Sequence, residues 1–494
     1  MGYRIHAGLD FQRRERREFM LQQRPARFMK RCMLTLFLLL CLGALLLRPR
    51  AWWYDQLSVL GAVLLLGLSI FALRPLAAFL SGMERWTLWA LLSGICLLVK
   101  SCWVFLVRVP LAGDYSVFWG YATQMEQWGL VYGGRYMALF PHLYGYASFL
   151  AGCLRVLGTG ELTAQWVNVL LTICSGSFLF FLYRRDLRRA AAVYLLWIVC
   201  PSQSLYNTLV LSEPLYTTLL LGFLLLVSLL EEKGEQTERP VRLGLLTGIT
   251  AGVLLRWCNM IRPIAPILII ALLLWRLLLT VKERKNRRLW KIFLVTVLVV
   301  YAVSGPVADR QVSAMAGEPP ASVPGYSVLV GLNQSAGGSW NQEDGEALAL
   351  ADSRPGATAQ TVQEEMWELA KNRACSGEMD HLALLTEKGK TFLGRDDACV
   401  LYCEKGLSHH IRYQILCNGF WCFTILLAAV GGALLWRREE RSWLLLAPLY
   451  VLGLTLAQML VEVAGRYHYS MLPMLLLMGV WGLFEIKRDK KERI

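Results

Sequence analysis

The sequence predicts an all-α integral membrane protein with about 12–13 transmembrane segments and one mixed extracytoplasmic insert. Three observations carry that expectation. The 494 residues are 56% hydrophobic and only 18% charged, where a soluble domain carries about a quarter charged residues. Mean hydropathy is +0.43, and apolar runs of the length a bilayer requires recur through most of the chain. One long polar stretch, 309–417, interrupts them. This composition excludes a soluble reader of nucleic acid, so membrane lipids are expected partners and nucleic acid is not.

Taken in order, residues 1–31 are basic, with nine Lys or Arg against three acids, and the apolar run that follows lacks a small-residue cleavage pattern. The amino terminus is expected to be cytoplasmic. Thirteen apolar windows follow, at 33–48, 56–73, 87–107, 139–158, 164–183, 190–200, 208–230, 243–257, 264–280, 291–305, 418–436, 443–460 and 470–485. Short basic flanks at 183–189, 282–288, 437–441 and 487–491 belong on the cytoplasmic side, and most of the net +15 is this topology signal. The stretch 309–417 carries 15 acidic and nine basic residues, a balance an exported loop tolerates. The expected division is a cytoplasmic segment 1–31, a membrane module 32–308 with an outer loop 109–138, an insert 309–417, membrane helices 418–486 and a cytoplasmic tail 487–494. Thirteen full crossings cannot leave both ends on one side, and 139–158 and 190–200 are the windows least suited to a simple crossing. No internal repeat of the paired transporter kind is evident between the halves.

Four polar clusters lie where spans meet water. In LAGDYSVFWGYATQMEQWG, Asp114 precedes an amphipathic helix whose Val117, Phe118, Tyr121, Met125 and Trp128 recur at three- and four-residue steps. Asp114 reads equally as a helix cap or as a general base. Ser212, Glu213 and Pro214 read as a cap and first helical residues, or Glu213 serves an acceptor hydroxyl, an ion or a base. Arg256, Asn259 and Arg262 stand on the expected outward side, against the usual preference, and call for an anion. A phospholipid headgroup and a lipid-linked phosphate both fit the guanidinium fork. Finally, Glu462, Arg466, Tyr467, His468 and Tyr469 crowd the mouth of the last span. An aromatic belt explains the tyrosines, whereas Arg466 and His468 point to an anionic ligand.

In the insert, VLVGLNQSAGGSWNQEDG holds Asn333 and Asn341, which suit a sugar, a cation or a plain solvated loop. Cys375, Cys399, Cys403 and Cys417 allow one or two disulfides in an oxidising compartment, or free thiols.

Across roughly 87–485 this layout resembles the GT-C superfamily of polytopic glycosyltransferases, in particular the bacterial branch of protein O-mannosyltransferases and the lipid A aminoarabinose transferase. The matching features are Asp114 in the first large outer loop, Phe140-Pro141, Ser212-Glu213-Pro214, Asn259 with Arg262-Pro263, and Arg466-Tyr467-His468 leading to Pro473. The resemblance implies a hexosyltransferase, mannosyltransferase-like in class, acting on the outer face of the cell membrane. It would move sugar from a polyprenyl-phosphate-linked donor to an acceptor hydroxyl on an envelope glycan, lipid or protein. By that resemblance Asp114 would be the general base, and Arg262 and Arg466 would hold the donor phosphate; the residue clusters themselves add Glu213 as a second catalytic carboxylate and Arg256 and His468 as further phosphate contacts. Asn259, Tyr467, Asn333 and Asn341 would contact sugar or acceptor, and Asp114 or Glu213 would be the ligand if a divalent cation such as Mg or Mn takes part. Two features depart from the family pattern: the extra spans at 33–73, and a single carboxylate at Asp114 where many relatives have an Asp-Glu pair. The alternative is a transporter or flippase for a lipid-linked or anionic solute, since charges at span mouths serve pathways as well as catalysis.

Overall fold

The structure, a computed structural model, describes residues 2–234, 237–280, 286–377, 379–440 and 442–486, with backbone alone for 2–23. Most of the basic flank at 282–288 and all of the tail at 487–494 lie outside the described residues. The protein is an all-α polytopic membrane protein, and no strand occurs among the described residues. Among the described residues, ten helices are long and apolar enough to cross a membrane: Arg24–Leu47, Trp53–Leu80, Arg85–Leu106, Glu161–Leu182, Glu213–Gly234, Pro240–Ile261, Arg287–Ala316, His410–Arg437, Trp443–Leu460 and Gly465–Glu485.

Three of the thirteen windows hold shorter helices: Leu143–Leu157, Leu187–Val199 and Ala265–Leu279. At 13 to 15 residues they reach about 20–23 Å, short of the ~30 Å hydrocarbon core. The first lies alongside the amphipathic helix Asp114–Trp128, with Phe118 against Tyr146 at 5.1 Å between ring centroids and Arg155 donating to the Met125 carbonyl at 2.7 Å. The end of the span before this pair and the start of the span after it are neighbours, as Phe105 meets Trp166 at 5.7 Å. The chain between them leaves and returns at one end of the bundle, so the window at 139–158 adds no crossing. Among the described residues this leaves ten helices of crossing length and the two shorter ones, Leu187–Val199 and Ala265–Leu279.

Leu187–Val199 is short because the chain breaks at Cys200, ahead of Pro201, and stays irregular from Asn207 to Ser212. Irregular backbone inside a membrane bundle needs protein partners for its carbonyls. A polar stripe on Glu161–Leu182 supplies them, with Gln165 donating to the Thr208 carbonyl at 2.9 Å and Asn168 to that of Leu209 at 2.7 Å. Lys100, fully buried, donates to the Ser204 hydroxyl at 2.7 Å and the Cys200 carbonyl at 3.3 Å. This patch lets the next helix begin at Glu213, already deep in the protein.

Close helix contacts rest on small residues. Gly244, Gly248 and Gly252 recur at four-residue steps where Pro240–Ile261 packs on Arg287–Ala316; a Cβ at Gly248 or at Gly252 would sit 2.7 Å from Thr296 or Val300. Such small-xxx-small stripes bring membrane helices together through van der Waals contact and not through a hydrophobic driving force. At one end of the bundle the basic flanks find acids, with Arg184 and Arg185 on Glu232, Arg189 and Arg438 on Glu485, and Arg27 on Glu439 at 3.1 Å.

The insert covers the other end. Its flanking helices are longer than the apolar windows, running to Ala316 and restarting at His410, so the polar segment between them is 317–409. Expected to be mixed, it folds as helices, three of them with side-chain caps: Asn341 for Gln342–Asp352, Thr358 for Ala359–Cys375 and Asp380 for His381–Phe392. A small second core joins Ala138 and Leu139 of the outer loop to Tyr326, Leu329, Val362 and Met366 of the insert. Buried Lys388 donates to three carbonyls, Gly331 and Met459 at 2.9 Å and Val461 at 2.7 Å, and so bolts the insert to the mouth of the last two spans. All thirteen cysteines are free thiols, with Cys399 and Cys417 3.8 Å apart between sulfurs.

Gly248→Leu is expected to destabilise the protein by about 1–3 kcal/mol through overpacking. A thermal melt in detergent checks this, and an unchanged midpoint would mean that the glycine stripe is not a packing determinant.

Candidate functional site

The site forms where four segments far apart in sequence meet under the insert. Asp114 is the first residue of its helix, after Gly113 at φ +55°, and it makes no cap. Its carboxylate instead pairs with Arg466, which sits in the short turn Gly465–His468 that opens the last span. Glu213, 3% exposed at its side chain, pairs with Arg262 and lies 3.6 Å from the Arg466 guanidinium. Arg262 follows directly on the helix Pro240–Ile261. The result is a chain of alternating charge, Asp114, Arg466, Glu213, Arg262, in which each buried ion has an opposite neighbour, the condition under which buried charge persists.

Aromatic rings frame this chain. Tyr467 stands between the two guanidinium groups, 4.6 Å from that of Arg262 and 5.7 Å from that of Arg466. Tyr115 and Tyr402 face Arg466 at 6.0 and 5.8 Å. Beneath, a void of ≈ 20 Å³ bounded by Glu213, Arg262, Gln458 and Tyr469 is about the size of one water molecule. Above, a cavity of ≈ 1080 Å³ opens between the outer loop, the insert and residues 462–467. Asp114 is half-exposed into it, Arg395 and Lys405 add positive charge, and Val109, Pro110 and Val117 give it an apolar flank.

Burial acts to raise the Asp114 carboxyl, but the Arg466 charge and hydrogen bond outweigh it and hold the group below its ordinary 3.8. Glu462 lines the same cavity and goes the other way: burial raises it, and Arg466 offsets this only in part. The His142 imidazole is pushed down to about 4 by burial and by the Arg262 charge, so it faces Asp114 as a neutral group near pH 7. Two carboxyl groups in one cavity are thus driven apart in acidity, a pattern associated with acid–base chemistry.

The site gathers Asp114, Glu213, Arg262, Arg466 and Tyr467. Other residues singled out from the sequence lie elsewhere. Arg256 packs over the Tyr301 ring at 4.1 Å and bonds to the Tyr301 carbonyl and, at 3.3 Å, to Ser304, so it ties two spans together. Asn259, one turn before Arg262, lines neither the cavity nor the void. His468 turns away from the cavity: it is buried, stacks on Trp421 at 4.4 Å, and bonds to the Phe392 carbonyl at 2.7 Å and to Asp396 at 3.0 Å. Two residues apart in a tight turn, Arg466 and His468 point in different directions. Asn333 and Asn341 both donate to buried Asp344, at 3.0 and 2.7 Å, and Arg373 completes that cluster at 2.7 Å. Their amides brace the glycine-rich loop rather than face a ligand. Glu462 and Tyr402, with Arg395 and Lys405, join the cavity without having been assigned a role from the sequence. Glu462 carried the one readable signal, its place in the crowded final cluster.

For a divalent cation, the two carboxylates on offer are each engaged by a guanidinium. No group of three or more His, Cys, Asp or Glu suited to a metal occurs among the described residues. Among the described residues, then, Asp114 and Glu213 do not gather the donor set of a resident metal.

No family model matches the chain, and no curated protein matches it. Among solved structures, the crystal structure of ArnT from Cupriavidus metallidurans bound to undecaprenyl phosphate is similar to this chain, at 14% sequence identity and a TM-score of 0.34, over 80% of this chain and 77% of that one.

Arg262→Met is expected to lower stability by less than the about 3–5 kcal/mol of a fully stranded buried charge, because Glu213 keeps Arg466 at 3.6 Å, and adding Glu213→Gln should restore part of the loss. Thermal melts of both single variants and the double variant measure this coupling, and strict additivity would mean the pair is not coupled. Because the Asp114 value is lowered, its contribution to stability is present above 3.8 and lost as the pH falls through the lowered folded value. Asp114→Asn should remove that acid-side loss from a series of melts against pH.

Proposed function

We propose that this protein is a GT-C-type membrane glycosyltransferase that moves a sugar from a polyprenyl-phosphate-linked donor to an acceptor hydroxyl at the outer face of the cell membrane. The observation that carries this reading is the convergence of Asp114, Glu213, Arg262 and Arg466 at the floor of one large, partly apolar cavity. Fixed cations beside a half-exposed carboxylate are what direct displacement from a lipid phosphate requires.

The donor phosphate would sit against Arg466, with Arg262 behind it, and the lipid chain would leave along the apolar flank of Val109, Pro110 and Val117. The acceptor oxygen forms a bond to the anomeric carbon while the bond from that carbon to the phosphate oxygen breaks, its electron pair leaving with the phosphate. The acceptor proton passes to the Asp114 carboxylate. Arg466 stabilises charge growing on the leaving group, so the same guanidinium that suppresses Asp114 basicity in the resting site is drawn toward phosphate when donor binds. Glu213 keeps Arg262 as its own partner throughout.

In this reading the insert and the outer loop face outward, both termini are cytoplasmic, and the body at 32–308 is the catalytic module. The acceptor is an envelope glycan, lipid or protein, and the transferred group is a hexose.

Asp114→Asn should reduce transfer by about 10²–10⁴-fold, the usual contribution of a positioned base, while leaving membrane insertion and folding intact. The assay incubates purified protein in detergent with radiolabelled polyprenyl-phosphate hexoses and follows release of polyprenyl phosphate. A transporter has no such activity without a sealed membrane, and full turnover by Asp114→Asn would sink the base assignment.

A further inference from the structure

A second recess lies beside the first, on another face of the Asp114–Trp128 helix. It measures ≈ 340 Å³ and is bounded by Ser116, Gly120, Tyr121, Gln124, Tyr132 and Tyr136. Ser116, Gly120 and Gln124 fall on one stripe at four-residue steps. Ser116 and Val117 also line the larger cavity, so the two spaces share a wall within one helical turn of Asp114.

The lining settles what chemistry the recess suits. It holds no charged side chain, which leaves a phosphate headgroup or an acidic peptide without a counter-ion. It does hold three tyrosines, and Tyr132 and Tyr136 are 64% and 42% exposed. Tyrosine rings offer a flat apolar face to the C–H side of a pyranose and a phenol to its hydroxyls. Gln124 spends its carbonyl on the Tyr132 N–H at 2.8 Å, and its two amide protons remain as donors. The floor is Gly120, where an added Cβ would meet nothing within 4 Å.

We propose that this recess is the acceptor subsite and that it takes a neutral saccharide, presenting one hydroxyl over the shared wall toward Asp114. The proposal rests on the glycosyltransferase reading and narrows its acceptor to a glycan.

The test reads binding without donor. Wild type, Gly120→Leu and Tyr132→Ala are placed in phospholipid nanodiscs, free of glycoside detergents. Each is probed by saturation-transfer NMR with the neutral disaccharides N-acetylchitobiose and cellobiose, and with glycerol 3-phosphate. Wild type should saturate at least one disaccharide, Gly120→Leu should lose that signal by filling the floor, and Tyr132→Ala should weaken it. Glycerol 3-phosphate should give no signal that Gly120→Leu removes. Gly120→Leu keeps a good helix former in open space, and Tyr132→Ala changes an exposed side chain, so melts matching wild type keep the comparison valid. The proposal is overturned if neither disaccharide is saturated in wild type, if the signal survives both variants, or if the recess takes glycerol 3-phosphate instead. Saccharide binding here without turnover of polyprenyl-phosphate hexoses would overturn the parent reading, whereas turnover with no saccharide in the recess would overturn this one alone.

Discussion

The Arg466 guanidinium is shared between Asp114 and Glu213, and that sharing sets what the rest of the protein must supply. A buried cation with two carboxylates would carry excess negative charge, so Glu213 needs a second cation, and Arg262 provides it. Glu213 in turn reaches this depth only because its helix starts inside the bundle. That start requires the irregular stretch before it, whose carbonyls are met by Gln165, Asn168 and Lys100. The polar residues buried in the membrane body thus serve backbone geometry first, and the site follows from that geometry.

The insert contributes in a different manner. Lys388 holds it to the mouth of the last spans through three carbonyls, and His468 holds it through Phe392 and Asp396. Neither residue touches the cavity, yet both fix the segments that carry Tyr402, Glu462 and Arg466. The roof of the site is therefore set by hydrogen bonds to backbone and by one histidine–aspartate contact, while its floor is set by ion pairs.

How much of this could be read from the residues depended on whether the signal was local. Asp114, Glu213, Arg262 and Arg466 were legible because a charge at the mouth of an apolar span breaks a rule that lipid enforces. Their mutual contacts were not, since sequence spacing says nothing about which loops meet. His468 was assigned with Arg466 on proximity along the chain, and a tight turn separates them. Asn333 and Asn341 were ambiguous for a related reason: a polar glycine-rich loop looks the same whether it faces a ligand or its own Asp344. The windows at 139–158 and 190–200 stood out by length and composition, but only the neighbouring helix and the polar stripe explain how each departs from a simple crossing. The glycines at 244, 248 and 252 were not singled out in the sequence, because a small-residue stripe inside an apolar span shows its role only against the helix it packs on.

The separation of Asp114 from Arg466 by 352 residues also has a meaning in time. A chain is made from its amino terminus, and its early parts settle while later ones are still being added. Asp114 and Glu213 are in place first, Arg262 follows soon after, and Arg466 arrives with the final hairpin. Until then Asp114 lacks its ion-pair partner, whereas Glu213 already has Arg262. The last two spans act as a keystone: their insertion supplies Arg466 and closes the charge balance of the cluster in one event.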